Sequence, residues 1–327
     1  TAGDVVFGAG DFEATLKVGQ TADVEGALSA NATLTVAQTA DVEGALSANA
    51  TLTVAQTSDL EGVVTCNAAV DAEATLKVGQ TADIEGALSA NATLNVAQTM
   101  KVAQTADIEG HLSANAQLLV AQTADLEATL KVGQTADLEA TLKVGQTADI
   151  EGALSANATL NVAQTMKVAQ TADIEGALSA NATLTVAQTS DLEGVVTCNA
   201  AVDAEATLKV GQTADIEGAL SANATLNVAQ TMKVAQTADI EGHLSANAQL
   251  LVAQTADLEA TLKVGQTADV EGALSANATL TVAQTADVEG ALSANATLTV
   301  AQTSDLEGVV TCNAAVDAEA TLKVGQT

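Results

Sequence analysis

The residues with the most obvious chemistry are carboxylates that recur in pairs, as in the unit TADVEG, where Asp41 and Glu43 stand two places apart. Residues two apart on a strand point to the same side, so such a pair could share a divalent cation with the pair on a neighbouring strand. The glycine-rich nonapeptide of calcium-binding repeat proteins does not occur in the sequence. A solvated acidic surface is the simpler interpretation, and we predict no metal site and no cofactor.

Histidine and serine are the next candidates for chemistry. His111 and His243 both occupy the first place of HLSANA, and the acids near them are those of the general surface. Zinc binding or proton transfer would require further ligands or a partner within reach. The serines of ALSANA have no histidine beside them in most copies, so nothing activates them as nucleophiles. We therefore predict no catalytic residue and no enzymatic activity.

Three cysteines stand at the same place in three copies of VVTCNA: Cys66, Cys198 and Cys312. Many hexads separate each cysteine from the next, which is too far for a disulfide if the chain coils as argued below. We expect buried free thiols, a state that fits a reducing compartment.

All these residues belong to one repeat of six. From Gly3 to Gln326 the sequence divides without insertion or deletion into 54 hexads such as TADVEG, ALSANA and TLTVAQ. Apolar residues take the second and fourth places, and polar residues take the odd places. This alternation is typical of a strand with one buried face, and a helix would show a period near 3.6.

The number of strands predicts a solenoid. A flat sheet of 54 strands would leave long unpaired edges, whereas winding the chain stacks each coil on the last. Three six-residue strands make one coil of about 18 residues, and about 18 such coils form an all-β solenoid, a β-helix of triangular section. Residues 1–14 contain irregular glycines and an out-of-phase Phe7, so we predict an N-terminal cap there and a continuous β-helix over residues 15–327.

Composition excludes several classes of function. The 41 acidic residues and 10 lysines give a formal charge of −31, which repels nucleic acid and anionic membranes. No apolar run is long enough for a transmembrane segment. The first residues show no signal-peptide pattern, although the sequence starts at Thr1 and not at a methionine.

The order of the hexads predicts ion pairs between coils. Stacked acids repel, and the hexads change face after two or three coils so that lysine lies over an aspartate three hexads earlier. The predicted pairs are Asp59–Lys77, Asp83–Lys101, Asp125–Lys143, Asp149–Lys167, Asp191–Lys209, Asp215–Lys233 and Asp305–Lys323.

The repeat resembles a known family. TLKVGQTADVEGALSANA at 15–32 is similar to the repeat of bactofilins, the polymer-forming bacterial cytoskeletal proteins. The resemblance implies a right-handed triangular β-helix that joins end to end into non-polar filaments without nucleotide. It further implies a cytoplasmic scaffold for cell shape or for client proteins. The right-handed winding agrees with the general preference of parallel crossovers.

If the molecule associates with itself, its terminal coils must supply the contact, because they carry unpaired strand edges and an open apolar interior. We predict an interface formed by Val6, Phe7, Phe12, Val310, Leu322 and Val324.

Three alternatives to an intracellular filament remain at this point. An extracellular or cell-surface structural or adhesive fibre is the first, favoured if the full gene encodes a secretion signal or many more coils. An ice-binding solenoid would need a flat array of T-x-T motifs, which here migrates around the coil. A left-handed hexapeptide acyltransferase would have one aliphatic residue per hexad and loop insertions for its substrates, and the chain has neither feature.

Overall fold

The strands follow the hexads. A computed structural model describes the backbone of residues 5–7 and 10–326 and the side chains of residues 10–325. Its first strands are β1 (Val5–Phe7) and β2 (Gly10–Phe12). Strands β3 to β50 each contain three residues and recur once per hexad, from Leu16–Val18 to Leu298–Val300. The last three strands are β51 (Ser304–Cys312), β52 (Val316–Ala318) and β53 (Leu322–Gln326).

The fold is all-β, as predicted. The described residues form 53 strands, three to a coil, which make about 18 coils, and they contain no helix. It follows that the described part of the chain has no helix that could cross a membrane. Contacts divide the chain into two compact units, residues 1–163 and 164–327. Each unit is a parallel β-solenoid, and the single continuous domain expected over 15–327 stays a prediction.

Parallel pairing has a constant register of three hexads. In the first unit Leu28 lies opposite Leu46, and in the second unit Leu208 lies opposite Leu226. Residues three hexads apart in the sequence are therefore vertical neighbours within each unit, as the hexad count predicts. Each coil has three faces, because three strands separated by bends complete one turn.

Backbone hydrogen bonds give the hand of the coil. The N–H of the inward residue Leu28 donates to Ala45 O at 2.9 Å, and Asn49 N–H donates to the carbonyl of inward Ala30 at 2.9 Å. Both polar groups of the inward residues thus point toward the following coil. For an L-residue whose side chain faces the axis, this direction requires a right-handed coil. The winding agrees with the prediction and with the usual hand of parallel crossovers.

The core is aliphatic and narrow. Nearly all residues at the second and fourth places are buried in each unit, so the interior of each unit is a stack of mainly Leu, Val, Ile, Ala and Met side chains. Burying one Leu or Val contributes about 1.5 to 3 kcal/mol relative to leaving it exposed. These side chains supply most of the attraction between one coil and the next.

The length of the strands differs from the sequence prediction. Most strands have three residues instead of six, because the fifth, sixth and first places form the bends at which the coil turns. At Gly62 the backbones of adjacent coils approach so closely that an added Cβ would clash with the carbonyl oxygen of Gly44. The bend at Gly62 therefore requires glycine, although other bends accept larger residues at the same place.

The N-terminal register also differs from the predicted frame. Strand β1 pairs with Ala22–Val24 at an offset one residue shorter than three hexads, so Phe7 lies opposite the inward Val24. Val6, which the unbroken hexad frame placed inward, lies opposite the outward Asp23. The frame is thus shifted by one residue before β2, which returns to the full offset of three hexads.

Candidate self-association surface

One 24-residue sequence occurs three times and shows what a following coil does. TSDLEGVVTCNAAVDAEATLKVGQ spans residues 57–80, 189–212 and 303–326. The first two copies are covered by further coils, and the third forms the last described coil. Differences between the copies therefore report position in the solenoid, because their local sequence is the same.

Apolar side chains are buried in the inner copies and exposed in the last. Leu76 and Leu208 are 2% and 3% exposed, and their equivalent Leu322 is 43% exposed. In the same way Val70 is 2% exposed and Val316 is 45% exposed. In the described part of the chain, the apolar side chains of the last coil are thus left uncovered.

The predicted interface residues at this end fall into two groups. Leu322 is exposed, whereas Val310 and Val324 are half-buried. The sequence prediction omitted Val309 and Val316, which are 47% and 45% exposed. Val316 occupies a second place one hexad before Leu322, so the same inward-place rule could have identified it.

The last coil also has a different backbone. Strand β51 runs without a bend through Glu307, Gly308 and Val309, whereas the identical inner segments bend at these places. Its pairing with β53 shifts register between Leu306 and Val309. The two copies that have a following coil thus bend at these places and bury their apolar side chains, whereas the last copy does neither.

Strand edges at this end lack the partners that inner coils have. The N–H of Leu208 donates to Thr225 O at 3.0 Å, and the N–H of Leu76 donates to Thr93 O at 3.0 Å. Among the described residues nothing corresponds to these acceptors for Leu322. An added strand that satisfied this edge would gain main-chain hydrogen bonds together with apolar contact.

At the other end, only part of the predicted interface can be placed. Phe12 lies on β2 opposite Ala30 and is half-buried. The side chains of Val6 and Phe7 lie outside the described residues, and only the strand pairing of their backbone is given. The predicted cap at residues 1–14 includes β1 and β2, which pair in parallel with the next coil.

Six lysines lie close to the aspartate three hexads before them. The Nζ–carboxylate distances are 2.9 Å for Lys77–Asp59, 3.7 Å for Lys101–Asp83, 2.8 Å for Lys143–Asp125, 2.8 Å for Lys209–Asp191, 3.4 Å for Lys233–Asp215 and 2.8 Å for Lys323–Asp305. The seventh expected pair, Asp149–Lys167, stays a prediction. A further pair, Lys131–Glu151 at 3.5 Å, was not predicted. All these groups are exposed, so we assign them to the alignment of coils and not to a binding site.

Acidic columns are short. Asp23, Asp41 and Asp59 stack in register and are followed by Lys77. Asp287 lies in an equivalent column of three, where partial burial and the neighbouring carboxylates Asp269 and Asp305 raise its pKa. In both columns a lysine follows the third aspartate, which limits repulsion between stacked charges.

The candidate catalytic residues have structural surroundings. His111 Nδ1 accepts a hydrogen bond from Thr129 N–H at 3.4 Å, and His243 Nδ1 accepts one from Thr261 N–H at 3.3 Å. Both histidines are exposed at a bend. The described residues contain no group of three His, Cys, Asp or Glu arranged to hold a metal ion.

The cysteines are free, but they are not alike. Cys66 and Cys198 are buried, and burial raises the pKa of both thiols to about 12. Cys312 was expected to be buried as well, and this expectation was wrong because the last coil leaves it half-buried. Its Sγ lies 3.1 Å from Ala296 O.

Sequence reasoning missed two polar features. Ser58 and Ser190 occupy inward second places, and their buried Oγ atoms have no hydrogen-bond partner among the described residues. Asparagines at the fifth place form ladders, as where Asn49 Nδ2 donates to Asn31 Oδ1 at 2.9 Å. Both features follow from place in the hexad, so the three-hexad register could have identified them.

Comparison of the chain with protein-family models, with curated protein sequences and with solved structures gave no match. The repeating β-solenoid is shown by the strands and their pairing, and the resemblance to bactofilins rests on the repeat motif alone.

Proposed function

We propose that this chain is a structural protein that associates end to end through its terminal coils into a filament without nucleotide. The observation that supports this most is the contrast between identical residues, since Leu208 is 3% exposed and Leu322 is 43% exposed. Among the described residues every inner coil is covered by its neighbour, and the last coil is not. A coil of another molecule is the surface most similar to that cover.

The same proposal includes a scaffolding role and a location in the cytoplasm, following the resemblance to bactofilins. It also includes the absence of catalysis, because the repeated surface positions carry acids, amides and hydroxyls in place of a unique site. Free thiols at Cys66 and Cys198 are compatible with a reducing compartment.

Electron microscopy of the purified protein tests association directly. We expect filaments whose length increases with protein concentration. Isolated short rods at high concentration would contradict the proposal.

Paired substitutions locate the contact. Val316→Glu with Leu322→Glu places charge in the open apolar end and should shorten the filaments strongly. Ala315→Glu with Thr321→Glu is the matched control, because it adds the same two charges at exposed first places of the same two hexads. Equal shortening by the control would show that added charge alone, and not loss of apolar contact, is responsible.

A further inference from the structure

Two leucines break the polar pattern of the outer surface. From residue 15 onward the outward third place of each hexad is Asp, Ser, Thr, Asn or Lys, except at Leu119 and Leu251. Both leucines are half-buried on the outside of the solenoid. The narrow core is already filled by the inward places, so packing of the core does not require these side chains.

Leu119 lies in a trough that spans several coils. In register along one face come Asp83, Lys101, Leu119 and Asp137. The parallel column at the bend holds Glu85, Ala103, Ala121 and Glu139, and the two alanines leave a concave space between the acids. The trough has a volume of about 510 Å³.

Leu251 lies in a second trough of the same kind. Lys233, Leu251 and Asp269 follow in register, with Ala235, Ala253 and Glu271 at the bend. Its volume is about 160 Å³. Each leucine therefore has small residues beside it and an Asp–Glu pair from the next coil.

The acids above each leucine have no local counter-charge. Lys101 lies toward the other end of the first trough, with its Nζ 3.7 Å from Asp83. Asp137 and Glu139 take part in no ion pair among the described residues, and the same holds for Asp269 and Glu271. The first trough thus has four carboxylates and one ammonium group around an apolar floor.

Two further troughs have the same arrangement of places but a different composition. In one, Asp59 and Lys77 are followed by Asn95 and Ser113, with Asn115 at the bend. In the other, the equivalent residues are Asp191, Lys209, Asn227, Ser245 and Asn247. The same backbone positions therefore carry leucine followed by an Asp–Glu pair in two troughs, and asparagine followed by serine and asparagine in the other two.

We propose that the two leucine-bearing troughs bind a cationic peptide segment of a partner protein, in which an aliphatic side chain is flanked by arginine or lysine. The aliphatic group packs on Leu119 or Leu251. The flanking cations pair with the Asp–Glu pair above it, and their methylene stems cover the alanines. This site lies on the side of the solenoid and is independent of association through its ends.

Fluorescence anisotropy with a labelled GRLRLRG peptide at physiological salt tests the proposal. The matched probe GRSRSRG has the same charge and no aliphatic side chain. We expect GRLRLRG to bind about tenfold more tightly to the unmodified protein, because burial of apolar surface adds to charge attraction. Equal binding of the two probes, or no binding of GRLRLRG, would overturn the proposal.

Substitution at the leucines gives a control within the chain. Leu119→Asn with Leu251→Asn leaves the net charge of the protein unchanged and reproduces the residue found at Asn95 and Asn227. We expect affinity for GRLRLRG to fall about tenfold, to the level of GRSRSRG. Asp137→Ser with Asp269→Ser should weaken both probes. Unchanged binding of GRLRLRG to the asparagine variant would show that the peptide is held only by the overall negative charge of the protein, and it would overturn the proposal.

Discussion

Two inward serines are the clearest local defect in the core. Ser58 and Ser190 place hydroxyls where most acidic hexads have alanine, and these hydroxyls have no hydrogen-bond partner among the described residues. A buried unsatisfied polar group costs about 1 to 3 kcal/mol. We predict that Ser58→Ala and Ser190→Ala each raise the free energy of unfolding by about 1 kcal/mol or more, measured by denaturant titration.

The third copy supplies the control for the serine variants. Ser304 Oγ donates a hydrogen bond to Thr321 O at 3.4 Å. Ser304→Ala therefore removes a hydrogen bond and does not remove an unsatisfied hydroxyl. It should leave stability unchanged or lower it slightly. A gain equal to that of Ser58→Ala would show that the hydroxyl's hydrogen bonding is irrelevant.

The cysteines should differ in reactivity. Cys66 and Cys198 are buried with a raised pKa, whereas Cys312 is half-buried. We predict that a thiol reagent modifies one cysteine rapidly at neutral pH and all three after denaturation. Mass spectrometry of the modified peptides should identify Cys312, and fast labelling of Cys66 would contradict the burial.

Burial of the two thiols also predicts a pH dependence. Because the folded state raises their pKa to about 12, it holds these protons more tightly than the unfolded chain does. The resulting stability is complete below the unfolded pKa of about 8.5 and is lost as pH rises toward the folded value. Cys66→Ala with Cys198→Ala should flatten this alkaline loss relative to the parent protein. An identical slope in both proteins would assign the loss to lysine ion pairs alone.

At the scale of strands and coils, one sequence adopts two environments. Leu208 and Leu322 stand in identical 24-residue segments, but only Leu208 is covered by a following coil. We predict that Leu208→Ala lowers stability by about 2 to 4 kcal/mol and that Leu322→Ala lowers it by less than about 1 kcal/mol. Hydrogen exchange resolved by segment should report both changes. Equal effects in dilute solution would contradict the exposed position of Leu322.

Three features of the fold could be predicted from the sequence. The alternation of apolar and polar residues gives the inward places, and the six-residue repeat gives the positions of the strands and the register of three hexads. The three-residue length of most strands was missed, since alternation alone extends a strand across all six places. The last coil could not be predicted from its residues. Glu307 to Val309 has the same letters as two bent segments, and only the absence of a covering coil distinguishes it.

The ends of the chain also show where hexad reasoning stops. Val6 was assigned inward because the frame appeared unbroken from Gly3, but β1 pairs one residue short of three hexads. Sequence periodicity counts residues and does not detect a register shift within an irregular segment. The troughs at Leu119 and Leu251 were missed for a different reason, because they depend on which small residues lie side by side on stacked coils.

For the whole molecule, charge should oppose association. The formal charge is −31, so two copies repel at long range while their apolar ends attract only on contact. We predict that raising the salt concentration from about 20 mM to about 300 mM promotes filament formation, because the Debye length falls. Sedimentation at the two concentrations measures this. Dissociation at high salt would show that ion pairs, and not apolar contact, join the molecules.

The stacking of residues three hexads apart can be tested by disulfide formation in a Cys312→Ser background. Asn31→Cys with Asn49→Cys joins vertical neighbours, whose side-chain amides are hydrogen-bonded in the native protein. Neighbouring strands lie about 4.8 Å apart, which is within the Cα separation that a disulfide spans. Ala37→Cys with Asn49→Cys is the control, two hexads apart on a different bend. We predict that mass spectrometry after mild oxidation finds the crosslink across three hexads and no crosslink across two. The opposite result would contradict a coil of three hexads.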